Sequence, residues 1–319
     1  MKSSSLIHIF LFLQIVVGLH AEQPIELQLP DPYNDAQNEY SGLAWFADYV
    51  VLLPQYPNGY LPALAKSELL KAITSEDHSV LPIRIPFSGD DFTRYIPGFE
   101  GFEAIVFVDT LAYLSIEVET RKGLKGVFVR ASVPSLAEGI TLHSSPLLEI
   151  DTPEIINNMA FESLLYTNDQ LIPLYEANGA KVNPDAWVPI VSPDLQVVDK
   201  MPFPSIEFRI TDATQPTADQ CFWVINYLWH GDYFILKPAN DFIANPFGNV
   251  TRKSDVERLI EMKYDGNFFT LTDTPPIYLT KPEEQSHNWE GIVRVDSLGF
   301  LLISDEHPRT ILQFVPHAF

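Results

Sequence analysis

The stretch that decides the fold is Gly101–Glu119, which reads GFEAIVFVDTLAYLSIEVE. It contains two apolar, β-prone runs, AIVFV and LAYLSI, joined at Asp109 and Thr110 as in a β-hairpin. Glu103 precedes the first run and Glu117 follows the second, fourteen residues later. In a hairpin of this length the two positions lie across from each other, so both carboxylates are predicted at its open end. Because a hydrophobic core does not need such a pair, the pattern indicates a functional site.

The same frame occurs five times along the chain, with a polar residue that opens each hairpin and another that closes it fourteen positions later. The openers are Ser41, Glu103, Glu162, Asp212 and Glu290. The closers are Gln55, Glu117, Glu176, Asn226 and Ser304, and Asp305 directly follows the last of them. An aspartate also recurs near each turn, at Asp48, Asp109, Asp169, Asp219 and Asp296. A recurring frame of this length is typical of a repeat architecture.

Each hairpin is followed by residues that predict an outer pair of strands. Repeated four-stranded units around an axis form a β-propeller, so the sequence predicts an all-β fold with five blades. Six blades are possible if the long fourth unit, with its insertion at Gly231–Ser254, contains another. The last unit lacks a fourth strand. The segment IELQL at Ile25–Leu29 is predicted to pair with TILQFV near the end of the chain and close the ring.

The start of the chain resembles a secretory signal. Met1–Ala21 has a basic Lys2, an apolar run and small residues before a cleavage point. The rest, residues 22–319, is predicted to be a single exported domain, extracellular or, in a bacterium, extracytoplasmic. Asn249-Val250-Thr251 is a glycosylation sequon, and the lone Cys221 excludes an internal disulfide bond.

The net charge of −22 argues against nucleic acids and anionic membrane surfaces as partners. No apolar stretch after the signal reaches the length of a membrane span. We expect a monomer with a small-molecule or ester substrate at the mouth of its channel. The acidic balance is compatible with a bound cation, and equally with a solvated acidic surface.

In a propeller the openers converge on the central channel. Their oxygen atoms, without histidine or cysteine, would suit a hard cation, and Ca²⁺ tolerates such irregular sites best. The predicted metal ligands are Ser41, Glu103, Glu162, Asp212 and Glu290. The closers, with Asp305, would form a wider polar rim. The alternative is that the openers cap strand ends and bind backbone amides.

The repeats resemble those of the secreted phytase-like propellers, the group labelled for esterase-like activity of phytase. The resemblance rests on SGLAW…LLPQ, FEAI…LSIE, SLLY…PLYE and WEGI…LLISDEHPRT, because blades of that group begin with SGL or EGI and end in Glu or Asp. It implies a propeller with hydrolase activity. More distantly, Ser41, Glu103, Glu162 and Glu290 are similar to the central calcium site of the soluble calcium-activated nucleotidases, or apyrases, which are five-bladed propellers. Asp212 departs from the smaller hydroxyl residue of that site, and no basic phosphate-binding cluster is evident, which argues against nucleotidase activity.

Two functions remain open. One is a calcium-dependent ester or phosphoester hydrolase, with Glu117, Glu176 or His307 as the base. The other is a non-catalytic extracellular propeller that binds a ligand or protein and holds a structural ion. The residues predicted to contact a ligand are Gln55, Asn226, Asp305 and Arg309. A polar turn stiffened by Pro308 would equally explain DEHPRT. The aromatic run Tyr227, Trp229 and His230 would form a wall for a ligand, and packing on a neighbouring blade would explain it equally well. Arg209 and Lys237 are the remaining basic candidates.

Overall fold

The computed structural model describes residues 23–243, 255–279 and 286–319. In these ranges the chain is nearly all β-structure, which confirms the predicted fold class at this level. The helices described are short: Lys66–Thr74 (α1), Phe92–Tyr95 (α2) and Tyr233–Leu236 (α3), besides the 3-10 turns Ala36–Asn38 and His230–Asp232. None of the helices in the described part of the chain could cross a membrane. The signal-like segment and the Asn249 sequon lie outside the described residues.

A short strand, Ile25–Leu27 (β1), precedes a series of antiparallel units, each of which begins with one of the predicted hairpins. The first unit contains Tyr40–Phe46 (β2), Tyr49–Pro54 (β3), Tyr60–Ala65 (β4) and Ile83–Gly89 (β5). The second contains Phe99–Val108 (β6), Leu111–Thr120 (β7), Gly123–Ser132 (β8) and Ile140–Asp151 (β9). The third contains Phe161–Thr167 (β10), Gln170–Tyr175 (β11), Trp187–Val191 (β12) and Val197–Pro202 (β13).

The last two units are less regular. The fourth contains Arg209–Ala213 (β14), Cys221–Leu228 (β15), Val256–Tyr264 (β16), Phe269–Leu271 (β17) and Ile277–Tyr278 (β18), and β17 and β18 both pair with β16. The fifth contains Trp289–Val295 (β19), Gly299–Ser304 (β20) and Leu312–Pro316 (β21). The first two units are joined along their outer strands, because β5 pairs in parallel with β9. The pattern of apolar and polar residues did not predict this connection.

The first strands of the units contact one another in cyclic order. β2 contacts β6, β6 contacts β10, β10 contacts β14, β14 contacts β19, and β19 returns to β2. Five clusters of buried apolar residues lie where successive units face each other, including the fifth and the first. The hydrophobic core is thus divided among the interfaces between sheets, as in a β-propeller, and the axis is left to polar side chains.

The predicted role of the N-terminal strand is confirmed. β1 pairs antiparallel with β21, with Ile25 opposite Phe314 and Leu27 opposite Leu312, and so becomes the fourth strand of the last unit. The next residue, Gln28, forms a parallel bridge with Ser79 of the first unit. Consequently the segment holds the end of the ring against its beginning.

Candidate functional site

A β-bulge interrupts every inner hairpin where its opener stands. Ser41, Glu103, Glu162 and Glu290 are each the extra residue between two paired neighbours. In the fourth unit Thr211 and Asp212 together oppose a single residue of β15. A bulge leaves one residue out of the ladder and redirects its side chain. The recurring frame in the sequence therefore corresponds to a recurring backbone irregularity.

The bulges correct one detail of the sequence analysis. Opener and closer are not directly opposed: Glu117 pairs with Gly101, Asn226 with Ile210 and Ser304 with Trp289. The prediction that residues fourteen apart lie opposite each other assumed regular strand pairing without a bulge. The extra residue shifts the pairing, so that these three closers lie opposite a residue one or two positions before the opener.

A polar cavity of about 200 Å³, here called the central cavity, lies where openers and closers meet. It is lined by seven carboxylate side chains and a single guanidinium. Its lining residues are Glu39, Gln55, Glu103, Glu117, Asn158, Glu162, Arg209, Asn288, Glu290, Asp305 and Glu306. No histidine or cysteine is among these described residues. Of the predicted metal ligands, the structure thus brings Glu103, Glu162 and Glu290 together.

Burial and mutual repulsion favour the protonated forms of these carboxyl groups. Burial, and then the charges of Glu103, Glu176 and other carboxylates, hold the pKa of Glu162 well above its usual range. The pKa of Glu290 is raised in the same way by burial and by Asp305. Burial raises the pKa of Glu103 to about 7, although a hydrogen bond that Gln55 donates at 3.1 Å lowers it in part. The site therefore favours a bound cation or shared protons.

The closers Glu117 and Glu176 have similarly perturbed pKa values. Burial and the charges of Glu103 and Glu176 raise the pKa of Glu117 to about 8. Burial raises the pKa of Glu176 to about 7, against the opposing effect of Arg209. Groups with pKa values near neutral can both accept and donate a proton under physiological conditions.

Arg209, which the sequence placed only among minor candidates, supplies the positive charge of the central cavity. Its Nε donates to Oε1 of Glu176, and its guanidinium lies 3.8 Å from a carboxylate oxygen of Asp232. Burial alone would lower the pKa of Arg209, but Glu176, Glu290 and Glu162 raise it overall. The arginine therefore stays charged while buried. The only indication of this role in the sequence was that a cationic residue stands three positions before the opener Asp212.

Ser41 and Asp212 are buried but are not among the residues that line the central cavity. The Ser41 hydroxyl donates to the carbonyl oxygen of Phe102 at 2.5 Å. The Asp212 carboxylate accepts from the backbone N–H groups of Ala213 and Ile292, each at 2.7 Å. These contacts match the alternative in which openers bind the backbone.

Two buried oxygen atoms at this site have no hydrogen-bond partner among the described residues: Oε2 of Glu176 and Oδ1 of Asn288. The amide nitrogen of Asn288 donates to Glu290 and, at 3.3 Å, to Asp305. The sequence analysis missed Asn288, although it stands two residues before an opener. Buried acceptors without donors are what a cation or an ordered water would satisfy.

A wider cavity of about 650 Å³, here called the outer groove, adjoins the central cavity. The two share the lining residues Asn158, Arg209, Asn288, Asp305 and Glu306. The outer groove is otherwise lined by Tyr227, Trp229, His230, Asp232, Asp255, Ser286, His307 and Pro308. The aromatic run after the fourth closer thus faces a cavity, and Arg209 stands at the junction.

The remaining predicted residues lie in different places. His307 lines the outer groove, and its ring forms a close group with the carboxylates of Asp305 and Glu306. Asn226 is fully buried and donates to the carbonyl oxygens of Glu207 and Arg209. Arg309 donates to both carboxylate oxygens of Glu26, at 2.8 and 3.0 Å, and so joins the last unit to β1. Neither Asn226 nor Arg309 is among the described residues that line the two cavities.

Comparison with known proteins shows a likeness of fold only. No family model matches the sequence, and no curated protein matches it. A proposed glycoside hydrolase from Bacteroides ovatus has a similar structure, with a TM-score of 0.50, 12% sequence identity, and coverage of 98% of this chain and 97% of that one. A glucose dehydrogenase has a TM-score of 0.48 at 10% identity, covering 93% of this chain and 100% of the other. An α-L-arabinofuranosidase from Clostridium thermocellum has a TM-score of 0.47 at 11% identity, covering 82% and 81% of the two chains.

Proposed function

We propose that this chain is an exported, five-bladed β-propeller hydrolase whose central carboxylates bind Ca²⁺. The substrate would be an ester or phosphoester that enters through the outer groove. One observation carries the proposal: a buried carboxylate cluster adjoins an open, aromatic-lined groove, with Arg209 between them. An ion that only pinned the blades together would not need this access.

The residues present fit a hard cation. Glu103, Glu162 and Glu290 offer carboxylate oxygens, and Oδ1 of Asn288 is a buried acceptor that lacks a donor. Calcium takes six to eight oxygen ligands in flexible geometry, so carboxylates and an amide carbonyl suit it. When bound, the ion would polarise a substrate oxygen and lower the pKa of a bound water.

The chain's own residues would supply the proton transfer and charge stabilisation. Glu117, whose pKa is raised to about 8, and Glu176, whose pKa is raised to about 7, can hold or release a proton at neutral pH. Arg209 can donate to negative charge that develops on the substrate in the transition state. The exposed rings of Trp229 and His230 would pack against the part of the substrate that stays in the outer groove.

A second candidate is hydrolysis of a glycosidic bond. Glycosidases use a pair of carboxyl groups, one of which has a raised pKa and donates a proton to the leaving oxygen. Glu103 and Glu117 have this property, and the exposed Trp229 offers a ring surface for a sugar. The fold shared with a proposed glycoside hydrolase is compatible with this substrate.

The test combines binding with turnover. Melting curves in Ca²⁺ and in chelator are compared for the wild type, for Glu162→Gln, and for Glu76→Gln, an exposed glutamate outside both cavities, as the control. At a hundred times the dissociation constant, the ion should stabilise the folded state by roughly 2.7 kcal/mol. Glu162→Gln should lose most of this shift and Glu76→Gln should keep it.

Turnover of p-nitrophenyl esters, phosphoesters and glycosides, each with and without chelator, identifies the bond that is cleaved. Calcium-dependent ester or phosphoester cleavage supports the proposal. Glycoside cleavage selects the second candidate. A calcium-dependent melting shift without any turnover would select the non-catalytic binding propeller, and identical melting curves in calcium and chelator would reject the ion.

A further inference from the structure

An exposed apolar surface lies beside α3 and shares no lining residue with the central cavity or the outer groove. Ile155, Phe234 and Ile235 are 72%, 71% and 48% exposed. Together with Ile156 and Val182 they line a cavity of about 550 Å³. Large apolar side chains that are exposed side by side commonly mark a binding surface, whereas singly exposed ones do not.

The charge at this surface is unusual for the protein. Lys181 and Lys237 line the same cavity, which has Glu154 as its single carboxylate side chain among the described lining residues. The Lys181 ammonium donates to the carbonyl oxygen of Pro238 at 3.2 Å. In the described part of the chain neither lysine forms an ion pair, in contrast to Lys66, Lys125 and Arg258. We call these two lysines and the five apolar residues the lysine-flanked patch.

We propose that the lysine-flanked patch binds an anionic amphiphile, that is, a molecule with one negatively charged head group and an apolar chain. The isoleucines and Phe234 would pack against the apolar chain of the ligand, and Lys181 and Lys237 would bind its head group. The cavity volume falls in the range of roughly 300–1,000 Å³ that is usual for small-molecule sites. The net charge of the chain is −22, but Lys181 and Lys237 outnumber the single carboxylate side chain among the described lining residues, so the local charge of this surface favours an anionic head group over a cationic one.

The test uses decanoate as the probe, titrated calorimetrically into the protein below its micellar concentration. Decyltrimethylammonium, with the same chain length and opposite charge, and hexanoate, with the same head group and a shorter chain, are the matched ligands. Decanoate should bind at least tenfold more tightly than hexanoate, because its additional methylene groups can be buried against the apolar side chains of the patch. Lys181→Gln and Lys237→Gln should each weaken decanoate binding roughly two- to fivefold, as expected for exposed ion pairs.

Lys71→Gln and Lys263→Gln are the control variants, since both lysines are exposed elsewhere on the surface. They should leave the affinity unchanged, and Phe234→Ser should reduce it. The proposal is wrong if decyltrimethylammonium binds as tightly as decanoate, if the lysine variants at the patch behave like the controls, or if decanoate does not bind. Self-association that Phe234→Ser abolishes, without decanoate binding, would identify a second copy of the chain as the occupant instead.

Discussion

Arg209 is the residue on which the electrostatics of the central cavity depend. It is the single guanidinium among seven carboxylates, and its ion pair with Glu176 is buried. Breaking a buried pair by removing one partner is costly, because the remaining charge stays out of water without compensation. The same contact holds the guanidinium at the junction of the central cavity and the outer groove.

Replacement of Arg209 by glutamine should therefore destabilise the protein by roughly 3–5 kcal/mol and raise the pKa of Glu176 further. Urea unfolding measures the change. The double variant Arg209→Gln/Glu176→Gln should recover most of the loss. Arg94→Gln, which breaks an exposed pair with Asp91, should cost less than about 1 kcal/mol. If Arg209→Gln and Arg94→Gln had equal effects, the buried pair would not be important for stability.

The raised pKa values predict how stability changes with pH. In the folded protein the pKa is raised from the usual 4.5 to about 7 for Glu103, about 8 for Glu117 and about 7 for Glu176. Their contribution to the free energy of unfolding is fully present below pH 4.5 and is lost as the pH rises through 7 to 8. In chelator, the melting temperature should therefore fall between pH 5 and pH 8, and Glu117→Gln should reduce this slope.

Calcium should counteract the loss of stability at higher pH, because the ion binds the deprotonated carboxylates. The melting shift caused by Ca²⁺ should be larger at pH 8 than at pH 5. A shift of the same size at both pH values would mean that the ion binds elsewhere than at the central carboxylates.

At the scale of strands, hydroxyl groups near the bulges join neighbouring units. Ser41 donates to the carbonyl of Phe102, Ser115 to that of Phe161 at 3.0 Å, and Thr211 to that of Trp289. In each case the acceptor is the residue directly before the next opener. These bonds tie three of the five bulges to the preceding unit and so help to hold Glu103, Glu162 and Glu290 in position.

Replacement of Ser115 by alanine should cost about 1–3 kcal/mol, because it leaves the buried Phe161 carbonyl without this donor. Chemical denaturation measures the cost. Ser88→Ala, at an exposed serine of β5, is the control and should be nearly neutral. The calcium-dependent melting shift should also shrink in Ser115→Ala, since Glu162 is the next residue. An unchanged stability would show that the bond is replaced by water.

At the scale of the whole molecule, β1 connects the two ends of the chain. Leu27 and Leu29 are 2% and 8% exposed, and Glu26 is paired with Arg309. Deletion of Glu22–Pro30 should destabilise the protein by about 3–6 kcal/mol, at roughly 1.5–3 kcal/mol for each buried leucine. The exposed edge of β21 should then promote aggregation.

Leu27→Ala tests the same contact with a single change and should cost about 2–5 kcal/mol. Leu81→Ala, at a leucine that is 69% exposed, is the matched control and should have little effect. Thermal melting and light scattering distinguish the outcomes. If the truncated protein melted like the intact one, β1 would be a loose tail and the ring would not depend on it.

The sequence by itself determined the β-structure, the hairpin frame and the strand that joins the ends of the chain. These features depend on local alternation of apolar and polar residues and on turn residues, both of which can be recognised in the amino-acid sequence alone. The openers could be recognised for the same reason, because each stands at a fixed place in its hairpin. Glu103, Glu162 and Glu290 were predicted to meet, and they line one cavity.

Only the tertiary structure decided which polar residues face that cavity. Ser41 and Asp212 share the frame of the other openers, yet their side chains bind backbone groups of neighbouring units. Arg209 and Asn288 are neither openers nor closers, yet they line the cavity. The bulges and the approach of adjacent strands set the direction of their side chains. Side-chain direction at a bulge and contacts between distant units depend on three-dimensional packing, which spacing along the chain does not encode.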